Sequence, residues 1–357
     1  MRSPFRLSRR GLTLLIASVG LVGALLVAAV APVPYVALVP GPTLNALGPL
    51  HGKPIIQIVG HRTYPASGHL NMVTVSYFGG PGANPPFNIF AALKAWLSPH
   101  EAVVPQQEIF TPGQTQQQVF QQDSEQMLNS QQTAQAAALC QLGIPFTIRD
   151  TITSTIRSVP GISRLPAYGV LRAGDVISAV DGKPVTCRAS AASMIGQVVA
   201  GKPVVLTISR KGMTRKFSLT TASNQGQPMI GVNVVESFSF PFTVKINIGN
   251  IGGPSAGMMF ALAIIDKLTP ADLAGGRFIA GTGEIEVNGT VDPIGGIQQK
   301  MAGARAAGAT VFLTPAANCP DTAGAVPAGM RLIKVSTLSG AIVALRALKH
   351  GGAVPSC

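Results

Sequence analysis

Acidic side chains are scarce. The chain has 14 Asp and Glu against 27 Lys and Arg in 357 residues, a formal net charge of +13. The carboxylates are dispersed, so a paired-carboxylate mechanism has no residues to use. No His/Asp/Glu cluster has metal-ligand spacing, and neither metal nor cofactor is expected. Histidines are few and badly placed for a Ser–His–Asp triad: His51, His61, His69 and His100 sit in the N-terminal part, and His350 in the tail. The cysteines Cys140, Cys187, Cys319 and Cys357 contain no CxxC pair, which argues against zinc. Aromatics are only 5%, the basic residues are scattered and no nucleic-acid motif occurs, so no nucleic-acid partner is expected despite the charge. The one Walker-like string, Gly196 to Gly201-Lys202-Pro203, lacks the magnesium-binding Ser/Thr and reads as a turn.

Apolar residues, by contrast, make up 46% of the chain. Arg2, Arg6, Arg9 and Arg10 precede an uncharged apolar run from Leu12 to Val30, and no charge follows until Lys53. This predicts a basic tail over 1–11 and a membrane span over 12–34, N-terminus inside and the body outside. A cleaved signal peptide competes, since Ala29-Val30-Ala31 resembles a cleavage site, but Pro32 would follow the cut. Residues 35–144 read as β-rich, with strands at 55–59 and 70–75 and a short helix at 89–97. They end in a long Gln-rich helix over 114–142, striped by Val119, Met127, Ala134, Ala138 and Leu142. An extracytoplasmic body permits disulfides, and Cys140–Cys187 with Cys319–Cys357 is the favoured pairing because each pair falls within one module.

Two later stretches carry chemistry. In Asn250-Ile251-Gly252-Gly253-Pro254-Ser255-Ala256-Gly257, a Gly-Gly-Pro turn leads into an apolar helix with Ser255 near its first turn. Helix N-termini present free N–H groups, and the small neighbours leave room for a substrate backbone. The plainer alternative is that Ser255 only caps the helix. The second stretch, Gly281 to Arg305, has an Asn288-Gly289 hairpin turn and then a helix opened by Gly295-Gly296. On that helix Ile297, Lys300, Met301 and Ala304 share one face, so Lys300 lies on the apolar stripe. A desolvated lysine loses proton affinity and can act as a general base.

Together these stretches resemble the proteolytic domain of Lon proteases over about residues 230–349. Gly253-Pro254-Ser255-Ala256-Gly257 is similar to the family's nucleophile segment. Thr282-Gly283-Glu284-Ile285, Pro293-Ile294-Gly295-Gly296 and Lys300 are similar to the segment that delivers its lysine. The resemblance implies a serine endopeptidase with Ser255 as nucleophile, Lys300 as general base, Thr282 in support and the Ala256 N–H at the oxyanion site. It also implies a ring-shaped homo-oligomer. Two departures stand out: Gly252 replaces an acidic residue found in many Lon enzymes, and Met258-Met259 follow Gly257 where smaller residues are usual. Lon enzymes usually carry an ATPase domain; none is evident here, so action without ATP on peptides or unfolded chains is expected.

Residues 145–222 resemble a PDZ domain, through Gly174-Asp175-Val176-Ile177 and Val180-Asp181-Gly182-Lys183-Pro184-Val185, a helix near 190–199 and a hairpin around Lys211-Gly212. Such domains bind an extended peptide by strand addition. The best candidate for a carboxylate loop is Ser163–Gly169. Residues 223–229 read as a linker, with strands at 230–235 and 242–248 opening the Lon-like domain. The expected whole is an α/β and α+β multidomain chain: an N-terminal transmembrane helix, a PDZ-like β domain and a C-terminal Lon-type proteolytic α/β domain. Its expected partners are peptide or unfolded-protein substrates and the cell membrane. A catalytically silent PDZ scaffold is the rival reading.

Overall fold

The computed structural model describes residues 8–357, so Arg2 and Arg6 of the expected basic tail lie outside the described residues. Helix α1 (Arg9–Val30) begins at Ser8, whose hydroxyl oxygen accepts from the Gly11 N–H. Its mean hydropathy is 2.5 and none of it is buried, so it is long and apolar enough to cross a membrane. Next come β1 (Tyr35–Asn45), β2 (Ile56–Val59), β3 (His69–Gly79), α2 (Ile89–Trp96), β4 (Ala102–Pro105) and α3 (Gln116–Leu142). Thr115 and Gln118 close a capping box at the start of α3, and Gly143 ends it in the left-handed conformation (φ 68°). The Gln-rich helix is therefore ordered, and from Ala134 to Cys140 it is buried on every side.

A second body follows, with β5 (Thr147–Thr155), β6 (Val176–Val180), α4 (Ala191–Gly196), β7 (Pro203–Arg210), β8 (Met213–Thr220) and β9 (Val232–Ser239). Its sheet runs β8-β7-β6-β5-β9. The chain then enters β10 (Thr243–Ile246), α5 (Gly257–Leu268), β11 (Phe278–Gly281), α6 (Ile297–Ala306), β12 (Val311–Pro315), β13 (Arg331–Val335) and α7 (Leu338–Lys349).

The large sheet runs β13-β12-β11-β3-β1-β4. Strands β13, β12, β11 and β3 are parallel, and β1 and β4 complete the sheet antiparallel. Residues 35–144 are thus not a separate region. Strand β3 pairs directly with β11, and α3 packs on α5, so Leu70 and Met72 of β3 and the alanine run of α3 share one core with α5. The centre of that core is α5, where Met258 to Ile265 are at most 2% exposed. Each such large side chain stabilises the fold by about 1.5–3 kcal/mol.

Sheet pairing also departs from the expected boundaries. Residues 223–229 are not a free linker: Ala222–Asn224 pairs with Gln227–Met229 around Gln225-Gly226, both at positive φ. Strand β9, expected in the Lon-like domain, pairs with β5. Its alternating apolar residues Val232 and Val234 complete the second body's core. Strand β10 pairs with β2 rather than with the large sheet. The disulfides are Cys140–Cys187 and Cys319–Cys357. The first does not lie within one module, since Cys140 ends α3 and Cys187 belongs to the second body, so it ties the two together.

Candidate active site

Ser255 does not cap α5. That position belongs to Ala256, and no side chain bonds there, so the serine hydroxyl is free for other work. The loop before it is pinned from α3: the Asp123 carbonyl accepts from the Gly253 N–H (2.8 Å), and the Ser130 hydroxyl donates to the Pro254 carbonyl (2.8 Å). The absence of a side chain at residue 252 has a steric cause, because a Cβ there would lie 2.5 Å from Asp123 Cβ. The bulk of Met258 and Met259 is accommodated, both being fully buried, with Met259 against the bare backbone of Gly281. Neither Asp123 nor Ser130 was legible as a site residue. They come from a distant Gln-rich helix, and no local pattern marks them.

Lys300 is 4% exposed on the inner face of α6, and its Nζ lies 2.9 Å from Ser255 Oγ and 3.3 Å from Thr282 Oγ1. Thr282, fully buried just past β11, donates its hydroxyl proton to the Ser255 carbonyl (2.9 Å). Towards the lysine, Thr282 must then accept. A neutral amine bonded to it in this way keeps its lone pair for the Ser255 hydroxyl. Burial pulls the Lys300 pKa down to about 8, opposed by the negative charge of Glu284. Ser255, Lys300 and Thr282 are therefore brought together. Ala256 is adjacent, with its side chain buried and its N–H at the α5 N-terminus beside that of Ser255.

A cleft of about 440 Å³ opens on this group. One wall is β3, whose pairing with β11 stops at Met72 while its pairing with β1 continues to Gly79. Residues 73–77 thus offer an unpaired strand edge to the cleft. Asp123 and Tyr77 also line this cleft. Burial pushes both groups up in pKa, and the carboxylate raises Tyr77 further.

The second body has its own groove, about 380 Å³, between α4 and the free outer edge of β9. Ile156, Ile177, Ile195, Ile230, Val232 and Val234 line it. The expected carboxylate loop, Ser163–Gly169, does not; it packs behind, the Ala167 N–H donating to the Ile230 carbonyl. The turn that opens onto the groove is Met229-Ile230-Gly231, with Gly231 at φ 84°. The expected boundary between the linker 223–229 and the Lon-like domain cuts this turn after Met229. Elsewhere in this body, the buried Asp175 takes a bidentate pair from Arg210 (2.7 Å each) and the Arg172 N–H.

Residues 244–345 match the model of the Lon protease (S16) C-terminal proteolytic domain, and residues 141–221 match that of the PDZ domain. The Lon protease of Roseiflexus castenholzii is 46% identical over 69 residues, covering 19% of this chain and 8% of that protein. Lon protease 1 of Sorangium cellulosum is 40% identical over 93 residues, 25% of this chain and 11% of that protein. The chain thus spans only about a tenth of the length of these relatives. The PDZ domain of the SdrC-like protein from Listeria innocua is 24% identical, covering 24% of this chain and 92% of that chain at a TM-score of 0.20. The residues around Ser255 and Lys300 fall inside the first match and the groove-bearing body largely inside the second: the chain carries a PDZ domain and, after it, a Lon-type C-terminal proteolytic domain.

Proposed function

We propose that the chain is a membrane-anchored serine endopeptidase that works with a Ser255–Lys300 dyad and needs no nucleotide. The observation that carries this reading is the 2.9 Å contact between Lys300 Nζ and Ser255 Oγ, at a lysine whose pKa burial lowers to about 8. Ser255 Oγ attacks the scissile carbonyl while Lys300 takes its proton, giving a tetrahedral oxyanion. The Ser255 and Ala256 N–H groups face that charge. Collapse breaks the C–N bond, and Lys300 returns the proton to the leaving amine. Water then hydrolyses the acyl-enzyme by the same route. The free edge of β3 would hold the substrate as an added strand.

Capture by the PDZ groove, delivery of extracytoplasmic peptides or unfolded chains, and assembly into a homo-oligomeric ring belong to the same proposal. The apolar α1 supports anchoring, with the body outside. The test is cleavage of casein and a fluorogenic peptide by the full chain in detergent without ATP, beside Ser255→Ala and Lys300→Ala. The expected loss is on the order of 10³-fold or more in each variant. Equal cleavage by all three forms overturns the dyad. No cleavage by any of them favours the peptide-presenting scaffold.

A further inference from the structure

The large apolar side chains exposed along Phe78 and α2 form a group, whereas most others on the two bodies stand singly. Ile89 (48% exposed), Phe90, Leu93, Trp96 (71%) and Leu97 follow one another at helical spacing, so they share one outward face. The opposite face is spent: Ala92 and Ala95 are buried with Ala37 and Phe87. Among the described residues, nothing covers the outer face.

Its position says what does. The start of α2 is bonded to the end of α1, Asn88 Nδ2 donating to the Ala29 carbonyl (2.6 Å) and the Val33 N–H to the Phe87 carbonyl (2.8 Å). Charge agrees, since no Asp or Glu occurs before Glu101, while Lys94 lies on α2 itself. An amphipathic segment with Trp and Phe on one face and a lysine beside it suits the headgroup boundary.

We infer that α2 is an interfacial helix, lying in the lipid headgroup layer beside the emerging α1 and holding the proteolytic domain down on the membrane. This rests on the anchored reading of α1. The bound surface is lipid rather than a second copy of the chain.

Trp96 is the only tryptophan, so full-length protein reports on this face without labelling. The chain is reconstituted into phosphatidylcholine–phosphatidylglycerol vesicles, with and without bromine on the upper acyl chain. The expected result is loss of Trp96 emission in brominated vesicles and protection from aqueous iodide. Phe90→Ser with Leu93→Ser should reverse both while peptide cleavage in detergent stays unchanged. Full iodide quenching without bromine quenching, in protein that resists carbonate extraction, overturns the inference and leaves the anchor standing. Protection from iodide without bromine quenching assigns the face to a second copy and also overturns it. Protein released by carbonate refutes the anchor, and the inference falls with it.

Discussion

Lys300 Nζ and Ser255 Oγ meet at 2.9 Å although 45 residues separate them in the chain. The lysine arrives from α6 and the serine from the turn before α5, and Thr282 bonds both the Lys300 amine and the Ser255 carbonyl. Because the amine must be uncharged to take a proton, kcat/KM should rise with pH through about 8 and level off above it. Glu284 carries the opposing charge, so Glu284→Gln should move the inflection to lower pH. A pH–rate profile flat from 6 to 9 would contradict the assignment.

Holding that amine in an apolar site costs stability. The pKa is about 8 folded against 10.5 for the free side chain, so unfolding takes up a proton between those values and stability rises with pH through that window. Below it the full cost applies. Lys300→Met should therefore be inactive yet more stable at pH 7, by roughly 2 kcal/mol, read as a higher Tm.

Thr282 hydroxyl bonds to both partners of the pair. Thr282→Val should lower kcat about tenfold or more with little change in KM, since it frees the lysine to rotate. Thr282→Ser keeps the oxygen and should retain most of the activity.

Gly252 has no room for a side chain. Gly252→Ala puts a Cβ against Asp123 Cβ at 2.5 Å and should displace the nucleophile loop, lowering kcat with a modest loss of Tm. Asp123→Gly removes the facing Cβ and should partly rescue the variant in a double-mutant cycle, the Asp123 backbone still crowding it.

In the PDZ body, Asp175 is 1% exposed and paired to Arg210. Burial pushes its carboxyl up, and the Arg210 and Arg172 bonds outweigh that and hold it below the usual range. Its contribution is present above the unfolded carboxylate pKa and is lost as pH falls through the lower folded value. Asp175→Ala removes the bidentate partner of Arg210 and the acceptor of the Arg172 N–H and should destabilise the PDZ body, read as faster hydrogen exchange of β6 and β7.

The meeting of Ser255 and Lys300 was legible because the motifs are local: Gly253-Pro254-Ser255 is a turn, and Lys300 repeats with Ile297 and Ala304 at helical spacing. Both cysteine pairings were also foreseen, though not that Cys140 would cross between bodies. What escaped depended on long-range pairing. Nothing near residues 35–79 says that β3 will lie beside β11, some 200 residues on, because a strand pattern names a buried face and not a neighbour. The same limit misplaced β9: Val232 and Val234 fit either sheet, and only pairing with β5 decides. Ser130 and Asp123 act through a hydroxyl and a carbonyl on a helix whose composition looked merely polar.

The pairing of β3 with β11 in one sheet has a consequence during synthesis. As the polypeptide emerges, the PDZ segment is complete by Ser239, before any of α5 has appeared. The cleft between Ser255, Lys300 and β3 needs strands from both ends of the message, so a nascent chain arrested near residue 240 has a finished PDZ domain and an incomplete cleft. Translation order alone delays assembly of the Ser255–Lys300 cleft until the last third of the molecule has been made and folded.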